Sequence, residues 1–266
     1  MLKPFALFGM LAGGGIAESP AHSAAPCCDV VELRQYTLHP ARREAFIPFF
    51  EREFIETQEA VGNTVIGQFR DLDNSDRFTW LRGFPDMPAR AVSLQAFYGG
   101  DVWKHHRDQA NAFFIDTDNV LLLRAVRPQS AFDLATLKRA PTGATADCPG
   151  LLVATVYTFA EPVDARFVEF FENKLRPFVS ANGINLRSYY TSETRPNNFP
   201  RLPVREKDHV FVWFALYKDA ADYAHHFARM EGQAEWQQTI APELRHRARS
   251  IDVLRLAPTP RSRPHG

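Results

Sequence analysis

The segment Val30-Val31-Glu32-Leu33-Arg34-Gln35-Tyr36-Thr37-Leu38 sets a carboxylate, a guanidinium and a phenol at alternate positions. Its β-branched and aromatic content reads as a strand, and a strand turns alternate side chains to one face. Glu32, Arg34 and Tyr36 therefore share a side with Val30 and Leu38, while Val31, Leu33 and Gln35 share the other. Further on, Phe78, Trp80, Arg82 and Phe84 fall on one face of another short strand. If the two faces coincide, Glu32, Arg34, Tyr36, Trp80 and Arg82 converge, and Gln68 joins them from the strand between. Two arginines and one glutamate leave a surplus positive charge, and a buried charge is costly unless paired. That surplus suits an anionic or enolate-like small molecule held between aromatic walls. Arg34 and Arg82 would grip the anion with their planar forks, Tyr36 and Trp80 would stack on it, and Glu32 would move a proton. The competing reading is a structural Glu–Arg network that ties the fold together and binds nothing.

Histidine is the other source of acid–base chemistry near neutral pH. His105 and His106 sit on the helix that carries Trp103, and His105 is taken as the candidate proton carrier. Neighbouring helix positions point about 100° apart, so only one of the pair turns inward. No two histidines stand four apart, the spacing of zinc-binding helices, and no metal site is expected. Gly13-Gly14-Gly15 precedes any strand, so it is not a dinucleotide fingerprint. A phosphate-binding G-K-[ST] loop and a G-x-S-x-G elbow are both missing. No cofactor is therefore expected, although haem stays open because a single histidine can hold it. Cys27 and Cys28 are direct neighbours, a placement that strains a bond between them. They read as two thiols at a frayed terminus, with soft-metal binding or oxidant sensing as the alternative.

The elements that position these residues follow from pattern. After the first strand, Pro40 opens a helix whose Phe46, Phe49, Phe50 and Phe54 make one apolar face. Pro48 within it predicts a kink or a later start, and Gly62 ends it. Val65 to Arg70 and Phe78 to Phe84 form a hairpin with a long Asp- and Asn-rich turn. A second helical stretch from Pro88 to Ile115 breaks at Gly99-Gly100, with Asp101 as a new N-cap, and Val120 to Val126 is the last strand. The order is βαββαβ, the ferredoxin-like unit.

The chain then repeats it. A shift of 121 residues pairs Tyr36-Thr37 with Tyr157-Thr158, Phe49-Phe50-Glu51 with Phe170-Phe171-Glu172, and Gly62 with Gly183. A shift of 133 pairs Trp80 with Trp213, Asp86 with Asp219 and Trp103 with Trp236. The difference is an insertion around Arg195-Pro196-Asn197-Asn198-Phe199-Pro200. The second copy loses the charges: Glu32, Arg34 and Arg82 align with Val153, Thr155 and Ala215. Any polar site is thus built mainly by the first copy. The expected architecture is α+β, with two ferredoxin-like units in tandem over residues 29–126 and 150–257 and their antiparallel sheets packed face to face. Residues 127–149 read as a linker, 1–28 as a signal-like or disordered extension, and 258–266 as a disordered tail.

Composition bounds the rest. Across 266 residues, 31 Lys+Arg balance 31 Asp+Glu, so nothing provides the basic excess that a nucleic-acid backbone requires. Three cysteines are too few for a disulfide scaffold. No unbroken apolar run reaches the roughly 18 residues of a membrane span. Lys3, the apolar Phe5 to Ala17 and the small residues Ala21 to Ala25 have the order of a secretory signal, weakened by the glycines. Cytoplasmic is the expected compartment, with export as the alternative. The expected partner is a small-molecule ligand, and the two units pair within one chain or across a homodimer.

Val31-Glu32-Leu33-Arg34-Gln35-Tyr36-Thr37-Leu38, Pro40, Gly67-Gln68-Phe69-Arg70 and Trp80-Leu81-Arg82-Gly83-Phe84-Pro85-Asp86 together resemble the NIPSNAP family of the dimeric α/β barrel superfamily. The resemblance is clear over residues 29–126, while the second copy keeps the framework and loses the polar signature. It implies the same barrel fold, shared with cofactor-free monooxygenases, haem-handling enzymes and aldoxime dehydratases. It does not fix a reaction. Two functions follow: a cofactor-independent, oxygenase-type enzyme acting on an anionic or aromatic molecule in the barrel core, or a non-enzymatic binding or scaffolding protein with a closed core.

Overall fold

A computed structural model describes residues 28–135 and 137–265 of the chain. In the first half β1 (Val30–Leu38) leads into α1 (Arg43–Glu53) and α2 (Ile55–Glu59), followed by β2 (Thr64–Asp71) and β3 (Arg77–Phe84). Then come α3 (Met87–Gly99), α4 (Asp101–Asn111), β4 (Phe114–Asp116) and β5 (Val120–Ala125). In the second half β6 (Leu151–Phe159) precedes α5 (Ala165–Phe170) and α6 (Arg176–Ala181), which are joined by a π-helical turn at Phe171–Leu175. It continues with β7 (Asn185–Ser192), β8 (His209–Tyr217), α7 (Ala220–Glu231), a second π turn at Trp236–Ile240, α8 (Ala241–Arg247) and β9 (Ser250–Pro258).

The same local devices recur in both halves. Asp86 caps α3 by accepting from the Ala89 amide at 2.7 Å, and Asp219 caps α7 by accepting from Asp222 at 2.8 Å. Such a cap satisfies an amide that the helix leaves unpaired. Gly62 and Gly183, with φ of +92° and +78°, turn the chain out of the preceding helix in a conformation that side chains resist. Three local expectations need correction. The first helix begins at Arg43 and runs through Pro48, because residues 39–41 form a turn with Ala41 at φ 60°. Gly100, in place of Asp101, is the residue before α4, and Asp101 is its first helical position. The second helical stretch stops at Asn111, and Phe114–Asp116 becomes β4 against the end of β1.

Strand pairing closes the sheet. The first half runs β2-β3-β1-β5 and the second β7-β8-β6-β9. Their edges meet at β2–β9, where Asp71 faces Leu256, and at β5–β7, where Leu123 faces Ser192. Eight strands thus form a closed antiparallel barrel, and the bare faces expected to stack as two sheets look at each other across its interior. Closure gives each of the eight barrel strands a neighbour on both sides, which reduces the aggregation hazard of open edges. Val31, Leu33, Leu81, Leu121 and Leu123 of the first half pack there against Leu152, Ala154, Val212, Phe214 and Leu256 of the second. Cys28, read as part of a frayed terminus, is buried in this core; Cys27 and the signal-like segment lie outside the described residues.

The linker and the tail differ from expectation. Phe132 inserts into the barrel core, and its amide donates to the Tyr190 hydroxyl at 2.9 Å. The tail folds back over β2: Thr259 and Ser262 are fully buried, and Thr259 Oγ1 and the Arg261 amide donate to Glu51 Oε1 at 2.6 and 3.1 Å. A buried carboxylate that needs donors explains why the proline-rich end is ordered. Among the described residues no helix is long and apolar enough to cross a membrane.

Candidate functional site

The strand register brings the expected residues together. Antiparallel pairing of β1 with β3 sets Glu32 opposite Arg82, Arg34 opposite Trp80, and Tyr36 opposite Phe78. Gln68 of β2 lies opposite Trp80 on its other side. The face they share, however, is the outer one, beneath α1 to α4. The inner face carries Val31, Leu33 and Leu81, and the barrel core is packed with apolar side chains. The expectation of a pocket in the barrel core is therefore wrong, and the candidate site lies between sheet and helices.

Glu32 is the hub. Its Oε2 accepts from Arg34 Nη1 at 2.7 Å and from Arg82 Nη2 and Nε at 2.5 and 3.0 Å. Its Oε1 accepts from Arg90 Nε at 2.7 Å. All four side chains are buried. Burial raises the Glu32 pKa, but Arg82, Arg34 and Arg90 outweigh it and hold the carboxyl far below the ordinary range. So strongly held a carboxylate is a poor base, and Glu32 positions the arginines. Arg90 was missed at the sequence level. It lies on α3 among the buried Met87, Leu94 and Phe97. An arginine inside an apolar helical stripe was the available signal.

Three guanidiniums on one carboxylate leave two positive charges uncompensated. Neighbouring groups relay them. Arg34 Nε donates to the Tyr36 hydroxyl at 2.8 Å, and Arg82 Nη1 donates to Gln58 Oε1 at 3.0 Å and Tyr98 OH at 3.5 Å. The Arg82 guanidinium lies 5.0 Å from the Trp80 ring centre, and that of Arg34 lies 5.8 Å from it. Tyr36, Gln58, Trp80, Tyr98 and Trp103 then line a chamber of about 100 Å³, completed by Phe46, Phe50, Phe54 and Phe97 and by Leu202 from the second-half insertion. Arg34 and Arg82 do not line it; they stand behind its wall. Burial pushes the Tyr36 phenol up despite Arg34, so it stays protonated. Because its oxygen already accepts from Arg34, its proton is free to donate. The Trp80 indole N–H is buried and has no hydrogen-bond partner among the described residues.

The insertion also reaches the cluster: Arg90 Nη1 donates to Asn197 Oδ1 and Asn198 Oδ1 at 3.0 and 2.7 Å. Gln68 turns away from the arginines, its Nε2 donating to Glu51 Oε1 at 3.0 Å beneath the tail. His105 is exposed on α4, whereas His106 is half-buried against Phe49 and faces Glu53 at 3.2 Å. His105 thus takes no part in the chamber. Haem, left open on the strength of one histidine, meets no histidine or cysteine in the lining of this chamber or of a larger one in the second half. Among the described residues, no three His, Cys, Asp or Glu side chains group as metal ligands.

The NIPSNAP family model matches residues 31–128, the stretch that carries the E-L-R-x-Y-T and W-x-R-x-F-P-D motifs. Two solved structures are similar to nearly the whole chain. A candidate monooxygenase of Fusobacterium nucleatum is 12% identical, covering 89% of this chain and 95% of its own with a TM-score of 0.54. A candidate monooxygenase of Lactobacillus acidophilus is 14% identical, covering 87% and 96% with a TM-score of 0.50. At these identities the likeness is one of fold. An uncharacterised NIPSNAP-like domain protein of Burkholderia xenovorans is 26% identical, covering 35% of this chain and 81% of its own, with a TM-score of 0.33. No curated protein matches the sequence.

Proposed function

We propose that the first half binds a small aromatic or enolic anion at the chamber under α1 to α4, its oxyanion inside and the rest of the ligand in the opening beside Asn111 and Thr117, because about 100 Å³ is too little to enclose a whole ring, and that its chemistry is cofactor-independent and oxygenase-type. The observation that carries this is the surplus of buried positive charge behind a chamber lined by Trp80, whose buried indole N–H has no partner among the described residues. An oxyanion seated there would accept from the Tyr36 hydroxyl and the Trp80 indole. Arg34 and Arg82, fixed by Glu32, lower the cost of that charge from behind. A phenol or enol would then bind as its anion, losing its proton to solvent, and such electron-rich anions react with dioxygen without a metal. The likeness in fold to two candidate monooxygenases is consistent with this reading. We further propose that the two halves descend from one duplicated unit, on the strength of their paired aspartate caps, glycines and tryptophans.

A second reading, binding without turnover, is favoured by the full engagement of Glu32, since no other carboxylate among the described residues lines the chamber to act as a base. One titration addresses both. 4-Nitrophenol added below its own pKa should show the phenolate absorbance when bound, and Tyr36→Phe should weaken it about ten-fold, as for loss of one charge-assisted hydrogen bond. Oxygen uptake with an enolisable single-ring compound separates turnover from binding. Binding of the neutral phenol with no phenolate band would sink the anion site.

A further inference from the structure

The second half contains a larger chamber at the equivalent place, between its sheet and its helices. It measures about 220 Å³. Its floor repeats the first-half register with the charges replaced: Val153 faces Ala215, Thr155 faces Trp213, and Tyr157 faces Phe211. In the first half the same three pairs are Glu32 with Arg82, Arg34 with Trp80, and Tyr36 with Phe78. The polar groups of the floor satisfy one another, since Trp213 Nε1 donates to the Tyr157 hydroxyl at 3.2 Å. Trp80, its counterpart, has no such partner among the described residues. Nothing in this floor calls for an anion.

The walls and mouth are mainly apolar. Tyr223, Phe227 and Trp236 stand half-exposed around the opening. Ile251 and Val253 of β9 line it at 43% and 38% exposure, so large hydrophobic side chains are held open to solvent at its mouth. Isolated exposed hydrophobics need no explanation, but a group of them around a cavity marks a binding surface. Trp236 also begins a π-helical turn, a costly irregularity found most often at functional positions. Glu231 and Arg245 in the lining carry opposite charges and leave no net charge there. For scale, an apolar cavity of about 150 Å³ stays dry and takes up benzene.

We propose that this second chamber is a binding site for a neutral two-ring aromatic molecule, with Thr155 and Tyr157 meeting at most one polar substituent. The site is independent of the anion chamber of the first half and differs from it in charge preference.

Naphthalene and 2-naphthoate, titrated against the full chain with tryptophan fluorescence as the readout, test this. Naphthalene should bind at least ten-fold more tightly than 2-naphthoate. Val153→Phe, which fills the floor, should weaken it at least ten-fold, and Tyr36→Phe in the other half should leave it unchanged. Should Val153→Phe fail to fold, Ile251→Asp at the exposed mouth gives the same comparison, with circular dichroism confirming the fold. Equal or tighter binding of 2-naphthoate, or no binding of naphthalene, overturns the proposal. So does binding that survives the mouth variant or disappears with Tyr36→Phe. A dimer by light scattering that excludes naphthalene and is broken by Ile251→Asp would show that the mouth belongs to an interface instead.

Discussion

Glu32 sets the energetics of the candidate site. One carboxylate is shared by Arg34, Arg82 and Arg90, all of them buried. Removing the hub strands three cations, whereas removing one arginine reduces the imbalance. Glu32→Ala is therefore expected to cost about 3–5 kcal/mol, the scale for breaking a buried ion pair, and Arg34→Met clearly less, both read from urea unfolding. The pH dependence follows from the same residue. Its folded carboxyl is held far below the value of an unfolded chain, about 4.3. Its stabilisation is complete above that value and is lost as pH falls, because the unfolded chain takes up a proton that the folded chain refuses. The melting temperature should fall progressively below about pH 5, and more shallowly in Glu32→Gln. Parallel profiles for the two proteins would contradict this account. The identities of the hub and of two of its three partners were legible in the sequence, because strand parity is a local property. Arg90 was not, because it approaches from a helix of the facing layer.

At the scale of elements, β2 matters beyond its own ladder. Its outer face holds Gln68 against Glu51 of α1, and the tail closes over both. Gly67, of opposite parity to Gln68, has no room for a side chain either: a Cβ would lie 2.6 Å from Ser262 Oγ, 2.7 Å from the Phe69 ring and 2.8 Å from Pro264 Cδ. Arg261 Nη1 also donates to the Glu51 carbonyl at 2.8 Å. Truncation after Pro258 removes these donors and leaves Glu51 buried beneath an open surface. The expected loss is about 2–3 kcal/mol, typical of an unsatisfied buried charged group, measured as a lower urea midpoint. An unchanged midpoint would mean the tail is ornamental. Three prolines within residues 258–266 predict disorder here. Three prolines do not prevent ordering when the chain between them satisfies a buried carboxylate.

For the whole molecule, the barrel depends on both halves. Each half alone would expose two strand edges and an apolar inner face. A fragment of residues 1–149 is expected to pair with itself or aggregate, and to form a one-to-one complex when mixed with residues 150–266, by size-exclusion chromatography with light scattering. A well-folded monomeric fragment would show that closure contributes little. The sequence by itself determined the main element order of both halves, that Glu32, Arg34 and Tyr36 share one strand face and Trp80 and Arg82 share another, and that Val153, Thr155 and Ala215 are uncharged where the second half is read in the same register. These follow from local periodicity and from register maintained between the two halves. Only the tertiary structure decided that these faces look toward the helices, since alternation says which side chains travel together and not which layer covers them. It also decided that Leu202, Asn197 and Asn198, more than 100 residues from Arg90 in the chain, complete the first-half site. Joining β2 to β9 and β5 to β7 pairs edges far apart in sequence, and no local pattern encodes that choice.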